Sequence, residues 1–373
     1  MIDLNKFQEL ANNSYEHAER LKKQTSKKII GYFCSYTPEE IIHAANALPF
    51  RIFGSEISIV HADTHLQPYC CSLARGGLEE ALAGRLNFLD GMVFPHTCDT
   101  IQRLSDIWRL NAGFPLHFDV MLPSKLNSES AHQYLIDILH KFKRDLEKGL
   151  GIEISSEQLK ETIRLYNQIR KGLEEIYLLR SENPDIISGS QIYAILKSAM
   201  IMDRKDFQHH LSQVLSELKK ENEPIQTSQK KRTILTGGIC NHPDIYSILE
   251  ESGGVVVWDD LCTGTRYFSG DIDENVDPIE AIAKRYFERV ICPTKHATIT
   301  YRGENLVRLA KEKNADGVIF LFLKFCDPHA FDYPFLKEYL DKEAIPNMLL
   351  EVGDQLPATG QVRTRLEAFV EML

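Results

Sequence analysis

The sequence predicts an α/β protein made of two doubly wound parallel-sheet lobes of similar topology joined by an all-helical insert. Three observations carry this. In the first third of the chain, apolar runs of strand length alternate with helix-like segments, the pattern of a parallel sheet with helical crossovers. From about Ser128 to Glu223 strand signals almost vanish. The final third restarts the opening pattern, so the two halves read as pseudo-repeats of one unit. The expected division is an N-terminal lobe with a leading helix over 1–127, the insert and its linker over 128–231, and a C-terminal lobe over 232–373.

Taken in order, residues 3–24 read as one amphipathic packing helix, with Leu4, Phe7, Leu10, Ala11 and Tyr15 on its apolar face. KKIIGYFC gives a strand and Cys34, then a helix with Thr37 as N-cap, Pro38 at its first position, and Glu39 and Glu40 in its first turn. FRIFG is a second strand, and a polar stretch leads to Cys70, Cys71 and the helical SLARGGLEEALAGRL. MVFPHTCD brings a strand and Cys98 before another helix, and LHFDVMLP is the last strand of the lobe. In the insert, Ser155 with Gln158 and Ser188 with Gln191 have capping-box spacing, and Leu159, Ile163, Tyr166, Ile169, Leu173 and Ile176 follow a helical period. EPIQTSQKKR reads as an exit linker, with Lys230, Lys231 and Arg232 solvated. The C-terminal lobe repeats the grammar: a strand before Cys240, another before Cys262, a helix after Cys292, GVIFLFLKF before Cys326 and its helix, and a last strand and helix. By position Cys34 corresponds to Cys240, Cys71 to Cys292 and Cys98 to Cys326.

At 373 residues the chain can bury a large core. A formal charge of −10 gives no general electrostatic case for nucleic acid or an anionic membrane. No apolar run approaches the ~20 residues that span a bilayer, and no signal-peptide pattern opens the sequence, so a soluble cytoplasmic protein is expected. Thiols are kept reduced there, so the eight cysteines point to metal binding, catalysis or burial rather than to disulfides.

A buried strand that ends in a cysteine facing a helix N-terminus puts a thiolate at the carboxyl edge of a parallel sheet, where open α/β folds bind ligands. Free N–H groups and partial positive charge at that place favour a thiolate and an anionic iron–sulfur cluster alike. Cys71, Cys98 and Cys326 share this kind of junction and are the candidate metal ligands. Burial as a small hydrophobe accounts for any one cysteine taken singly, and no CxxCxxC run is present. A zinc site of His61, His65, Cys70 and Cys71 has a spacing that fits no common structural pattern. Thr236, Gly237 and Gly238 read as a tight turn, since neither GxGxxG nor a lysine P-loop accompanies them. Asp259 and Asp260 read as caps of the next turn. Ser35, Tyr36 and Glu39 flank Cys34; Ser35 and Glu39 are candidates for catalytic contact with a substrate, although a place in a helix cap accounts equally for Glu39.

The stretches YCCSLARGGLEEAL, DGMVFPHTCDTIQRL, VVVWDDLCTGTRYF, DGVIFLFLKFCDPHAFDYPFLK and GQVRTRLEAFVEML resemble the family of 2-hydroxyacyl-CoA dehydratase and benzoyl-CoA reductase subunits, including its double-cubane branch. The likeness runs from about residue 28 to the end. It implies an α/β subunit with a [4Fe-4S] cluster held by three cysteines, which fall here on Cys71, Cys98 and Cys326. It further implies a CoA-thioester substrate, an ATP-hydrolysing iron–sulfur activator that injects one electron, and a related second subunit or a homodimer. In that chemistry the substrate becomes a ketyl radical, in which the β-proton is acidic enough to leave. Cys34, Cys262 and Cys292 also resemble cysteines of the double-cubane branch, where an [8Fe-9S] centre serves reduction of small molecules. The six-cysteine set therefore leaves one cubane or two open. A non-catalytic partner subunit that relays electrons is a third class. Cys70 and Cys240 are left over as buried thiols.

Overall fold

The computed structural model describes residues 4–55, 57–221, 229–242, 244–289, 292–295, 299–353 and 359–373. The N-terminal sheet consists of β1 (Ile29–Tyr32), β2 (Leu48–Arg51), β3 (Gly91–Pro95) and β4 (Leu116–Val120), all parallel, in the order β2-β1-β3-β4. The C-terminal sheet consists of β5 (Lys231–Gly237), β6 (Gly254–Asp260), β7 (Gly317–Leu323) and β8 (Asn347–Val352), also parallel, in the order β6-β5-β7-β8. The two orders are the same permutation, so the pseudo-repeat read from the sequence is real at the level of topology. Parallel sheets are covered on both faces and their strands run apolar throughout. Accordingly β1 and β3 are buried along their whole length, and β7 is buried as far as Phe322.

In each sheet the strand order reverses between the first and third strands, β1/β3 and β5/β7, which opens a crevice at their carboxyl ends. Gly237 sits at that point in the second sheet, with φ +150 and paired to Leu321. A Cβ there would lie 1.9 Å from the Leu321 carbonyl oxygen, so only glycine lets β5 end this close to β7. Gly237 thus closes a strand end, and is not part of a free turn. Asp259, by contrast, caps as expected, accepting the N–H groups of Leu261 and Thr265 at 3.2 and 2.8 Å.

Four helices, Glu129–Leu150, Ser156–Glu182, Gly189–Ala199 and Arg204–Glu221, follow the first sheet. Both capping boxes form, at Ser155/Gln158 and Ser188/Gln191. The helix Ser156–Glu182 is the strut between the lobes: 27 residues give it a length of about 40 Å. Toward the N-terminal lobe its Arg170 pairs with Glu40 and its Tyr166 hydroxyl reaches Glu39 at 3.3 Å. Toward the C-terminal lobe its Tyr177 hydroxyl donates to Asp259, and Arg180 donates to Val256 O and Glu250, both at 2.8 Å.

Three local expectations change. The leading helix is two helices, Asn5–Asn12 and Ser14–Thr25, parted where Asn13 leaves helical geometry at φ −121, ψ 48 while its side-chain N–H takes the Glu9 carbonyl at 3.0 Å. Thr37 does not cap: the helix starts at Glu39, and the Thr37 carbonyl is taken by Glu39 N–H and the Tyr286 hydroxyl. Lys231 and Arg232 are not solvated linker but the start of β5, and Arg232 donates to the carbonyls of Ser181 and Lys313, both at 2.8 Å. Lys230 pairs with Asp185 at 2.6 Å, and linker residues 223–228 lie outside the described residues.

Candidate metal centre

Cys71, Cys98 and Cys326 are each the N-cap residue of a helix: Ser72–Leu82, Asp99–Asn111 and Asp327–Lys342 respectively. The last follows β7 through a sharp turn in which Cys326 N–H bonds to Leu323 O at 3.0 Å and Phe325 adopts φ 65. A left-handed conformation costs a bulky residue ~1–2 kcal/mol, and here it lies in the turn that leads from β7 to Cys326. The three thiols join one apolar cluster with Phe33, Ala74 and Phe94; Cys71 is buried, Cys98 and Cys326 half-buried. Leu323 and Cys326 come from the C-terminal lobe, so this cluster lies where the lobes meet.

A second trio, Cys34, Cys262 and Cys292, belongs to the neighbouring cluster with Tyr36, Ile239 and Tyr286. Leu323 packs against both clusters. Cys98 feels the charge of Cys71, Cys34 and Cys292, and Cys326 that of Cys71, Cys98 and Cys292. The six thiols therefore form two adjacent groups, each drawing cysteines from both lobes. Cys240 stands apart in the C-terminal core, its thiol directed at His242 O at 3.7 Å. Cys70 is half-buried beside the first group. His61 and His65 are exposed, and no zinc arrangement with Cys70 and Cys71 forms.

Burial pushes Cys98 up to about 12 and raises Cys71 and Cys326, so without a metal these groups are neutral thiols. Opposing burial, the N–H groups of Leu73 and Ala74 face Cys71, that of Ile101 faces Cys98 and that of His329 faces Cys326. Cys262 and Cys292 share a hydrogen bond that raises the first and lowers the second. Buried cations complete the surroundings. Arg266 Nη1 is 3.5 Å from Cys262 Sγ, Arg289 stacks 3.8 Å from the centre of the Tyr36 ring, and Lys295 Nζ bonds Pro123 O at 3.0 Å. Burial lowers Lys295 to about 8, against the pull of Cys34, Cys292 and Cys98.

Among the described residues, no three His, Cys, Asp or Glu side chains converge in a way that would hold a single metal ion. A cubane asks for a wider arrangement, since each thiolate binds a different iron corner. Two buried polar atoms near the thiols, Arg289 Nε and Thr294 Oγ1, have no partner among the described residues. Each such atom costs ~1–3 kcal/mol when left unpaired, so the crevice suits a polar guest. Thiols, helix N-termini and buried cations together fit an anionic cluster.

The two catalytic candidates lie in a scaffold. Glu39 accepts from Tyr32 Oη at 2.6 Å, Arg204 Nη2 at 2.7 Å, Tyr166 Oη at 3.3 Å and Tyr267 Oη at 3.4 Å, an arrangement that ties β1 to the insert. Ser35 is buried, and its carbonyl accepts from Arg289 at 3.0 Å. Arg266, Arg289, Lys295 and His329 were not singled out from the sequence. Arg266 and His329 stand four and three residues after a cysteine, a spacing that places two side chains on one helical face; Arg289 and Lys295 carry no such signal. A narrow cleft opens beside the Cys71 helix, between Ser55, Leu73 and Gly76 of one lobe and Ile239, Asn241 and Leu323 of the other. No described helix is long and apolar enough to cross a membrane.

Known proteins share this chain over nearly its whole length. It is 32% identical over 370 residues to the (R)-phenyllactyl-CoA dehydratase beta subunit of Clostridium sporogenes, covering 99% of this chain and 98% of that one. It is 28% identical to lactoyl-CoA dehydratase subunit beta of Anaerotignum propionicum, at 99% and 98% coverage. A benzoyl-CoA reductase subunit of Thauera aromatica is 27% identical, at 93% and 91%. Residues 34–373 match the family described as 2-hydroxyglutaryl-CoA dehydratase, D-component, and the chain belongs to that family.

Proposed function

We propose that the chain is an iron–sulfur subunit of an enzyme acting on a CoA thioester, of the 2-hydroxyacyl-CoA dehydratase or benzoyl-CoA reductase type. Cys71, Cys98 and Cys326 hold a [4Fe-4S] cluster in this reading, and a related subunit or a second copy of the chain completes the enzyme. The observation that carries it is the convergence of three helix N-caps, from both lobes, on one apolar cluster. The naming of relatives as beta subunits of dehydratases, and of one as a reductase subunit, supports the substrate class and the partner. Bound there, the cluster would supply single electrons at low potential to the thioester, replenished by an ATP-dependent iron–sulfur activator.

The chain's own groups bind, orient and exclude water. Phe33 and Phe94 wall the trio with apolar surface; Lys295 adds a buried cation, and Arg266, paired with Asp260 at 2.7 Å, turns Nη1 toward Cys262 Sγ. In this reading the acyl group enters from the inter-lobe cleft beside the Cys71 helix. Anaerobic purification followed by iron and acid-labile sulfide analysis is the test. About four irons per chain are expected for one cubane; natively folded protein without iron overturns the reading.

The second trio favours a second reading. Cys34, Cys262 and Cys292 form a group of their own beside the first, and a double cubane would use all six thiols. About eight irons per chain would select it.

A further inference from the structure

His329 lies on the first turn of the helix that Cys326 caps, three residues along, so their side chains meet on one face. Its Nδ1 is 3.2 Å from Cys326 Sγ. The ring is buried against Phe322, at 5.7 Å between centroids, and under Gly238, where a Cβ would come within 3.4 Å of Cε1. It is therefore held in place. The Gly237 backbone also lies against the ring and favours a proton on it. Cys71 and Cys98 face backbone N–H groups, whereas Cys326 faces an imidazole as well.

A thiolate bound to a metal has lone pairs and no proton to give. Opposite such a sulfur, a bare Nδ1 would set two lone pairs against each other, so the nitrogen that faces it must carry hydrogen. Hydrogen bonds to a ligand sulfur withdraw charge from the metal centre, which stabilises the more negative, reduced state and tunes the potential.

We propose that His329 is a positioning residue that donates Nδ1–H to Cys326 Sγ and raises the reduction potential of the redox centre held there. The inference rests on the reading that Cys326 is a cluster ligand. Reduction adds one electron from an external low-potential donor, and the imidazole keeps its proton throughout.

The test uses the full chain, purified anaerobically, with iron and sulfide measured first and the midpoint potential then read by spectroscopic titration with redox mediators. His329→Phe and His329→Leu both delete the donor and differ in bulk; His329→Gln keeps an N–H. In whichever deletion variant retains parental iron, the reduced-to-oxidised ratio at a fixed applied potential is expected to drop about tenfold, equivalent to about 59 mV for a one-electron couple. His329→Gln is expected to recover part of that drop. An unchanged midpoint in an iron-replete deletion variant overturns the proposal and leaves the cluster reading intact. Loss of iron from all three variants also overturns it, since the histidine would then be holding the site together. Absence of iron from the unsubstituted chain overturns the cluster reading itself.

Discussion

The two lobes share a strand order but use it differently. Each delivers a cysteine after its first strand, Cys34 after β1 and Cys240 after β5. Cys34 joins the inter-lobe group, whereas Cys240 is buried beside Tyr246 and Leu235 with its thiol pushed up to about 12 by burial. The C-terminal lobe makes up the difference with Cys262, after its second strand, where the N-terminal lobe continues into Ile52 and Phe53. Topology thus brings sulfur to the sheet edge, and the local turn decides whether the sulfur faces the crevice or the core.

The largest expected effect breaks this comparison directly. Serine at Cys71, Cys98 or Cys326 should remove most of the iron from anaerobically purified protein if one cluster is present and at least half if there are two, while Cys240→Ser should leave iron content unchanged. Serine at Cys34, Cys262 or Cys292 should halve the iron if the second trio holds a cluster of its own, and leave it intact if only one is present. Equal iron loss from Cys240→Ser and Cys98→Ser would show that the two lobes' cysteines are not divided in this way.

Next in size are the joints that hold each lobe to the insert. On the N-terminal side, Glu39 and Arg204 are both fully desolvated, with side-chain exposures of 6% and 0%. Glu39→Gln leaves the arginine charge buried and unpaired and should destabilise by about 3–5 kcal/mol. On the C-terminal side, Glu250 is 19% exposed and Arg180 also has the carbonyls of Val256 and Ile187. Glu250→Gln should therefore cost only about 1–3 kcal/mol. Urea midpoints for the two variants check the order, and a larger loss in Glu250→Gln would reverse the assignment of the stiffer joint.

How much of this was legible in the sequence follows the range of the interactions. Strands announced themselves as uninterrupted apolar runs such as GVIFLFL, and the caps at Ser155 and Ser188 as local spacings, because both are decided within a few residues. The cysteines stood out because strand-to-helix junctions are local too. Shared junctions marked Cys71, Cys98 and Cys326 as one set, and the family resemblance marked Cys34, Cys262 and Cys292 as another; position along the repeats alone pairs Cys34 with Cys240 and Cys71 with Cys292, and it takes the facing of the two sheets to bring each set together from both lobes. Arg289 and Lys295 were invisible for the same reason, since they reach Tyr36 and Pro123 across the lobe boundary. The break at Asn13 leaves no trace in the periodicity, because an amphipathic pattern continues through it while the asparagine side chain competes for a helix carbonyl.

Acid should act on the two joints in opposite directions. His43, on the N-terminal side, contacts Thr162 at 3.2 Å and the Tyr166 ring. Burial lowers it to about 4 from its ordinary 6.5, so between those values the unfolded chain binds the proton first and this joint weakens as pH falls. Asp259, on the C-terminal side, is raised by burial to about 6 from 3.8. The folded chain binds that proton first, and this joint strengthens as pH falls through 6. Each effect amounts to at most about 3 kcal/mol. Hydrogen exchange along the helix Ser156–Glu182, corrected for intrinsic rates, should show faster opening around Thr162 and slower opening around Tyr177 at pH 5 than at pH 7. His43→Gln should abolish the first change and spare the second. A uniform response along the helix would contradict the contrast.

The smallest effect compares the two capping boxes. Ser155 is exposed and Ser188 half-buried, though both side chains accept the same N3 backbone N–H, at 3.2 and 3.3 Å. When Ser155 is replaced by alanine, water can reach the freed N–H of Gln158, and a loss near the lower end of the ~0.5–2 kcal/mol range for N-caps is expected. At Ser188, Gly189 fits closely against Tyr246, where a Cβ would meet the ring at 2.7 Å, and its N–H is held by Glu250 at 2.7 Å. Water has poorer access there, so Ser188→Ala should fall near the upper end, and the Glu250→Gln substitution should be non-additive with it because both act on one helix start. Equal losses at the two caps would mean that desolvation does not distinguish these helix starts, and strict additivity would separate the cap from the Glu250 contact that anchors the C-terminal lobe.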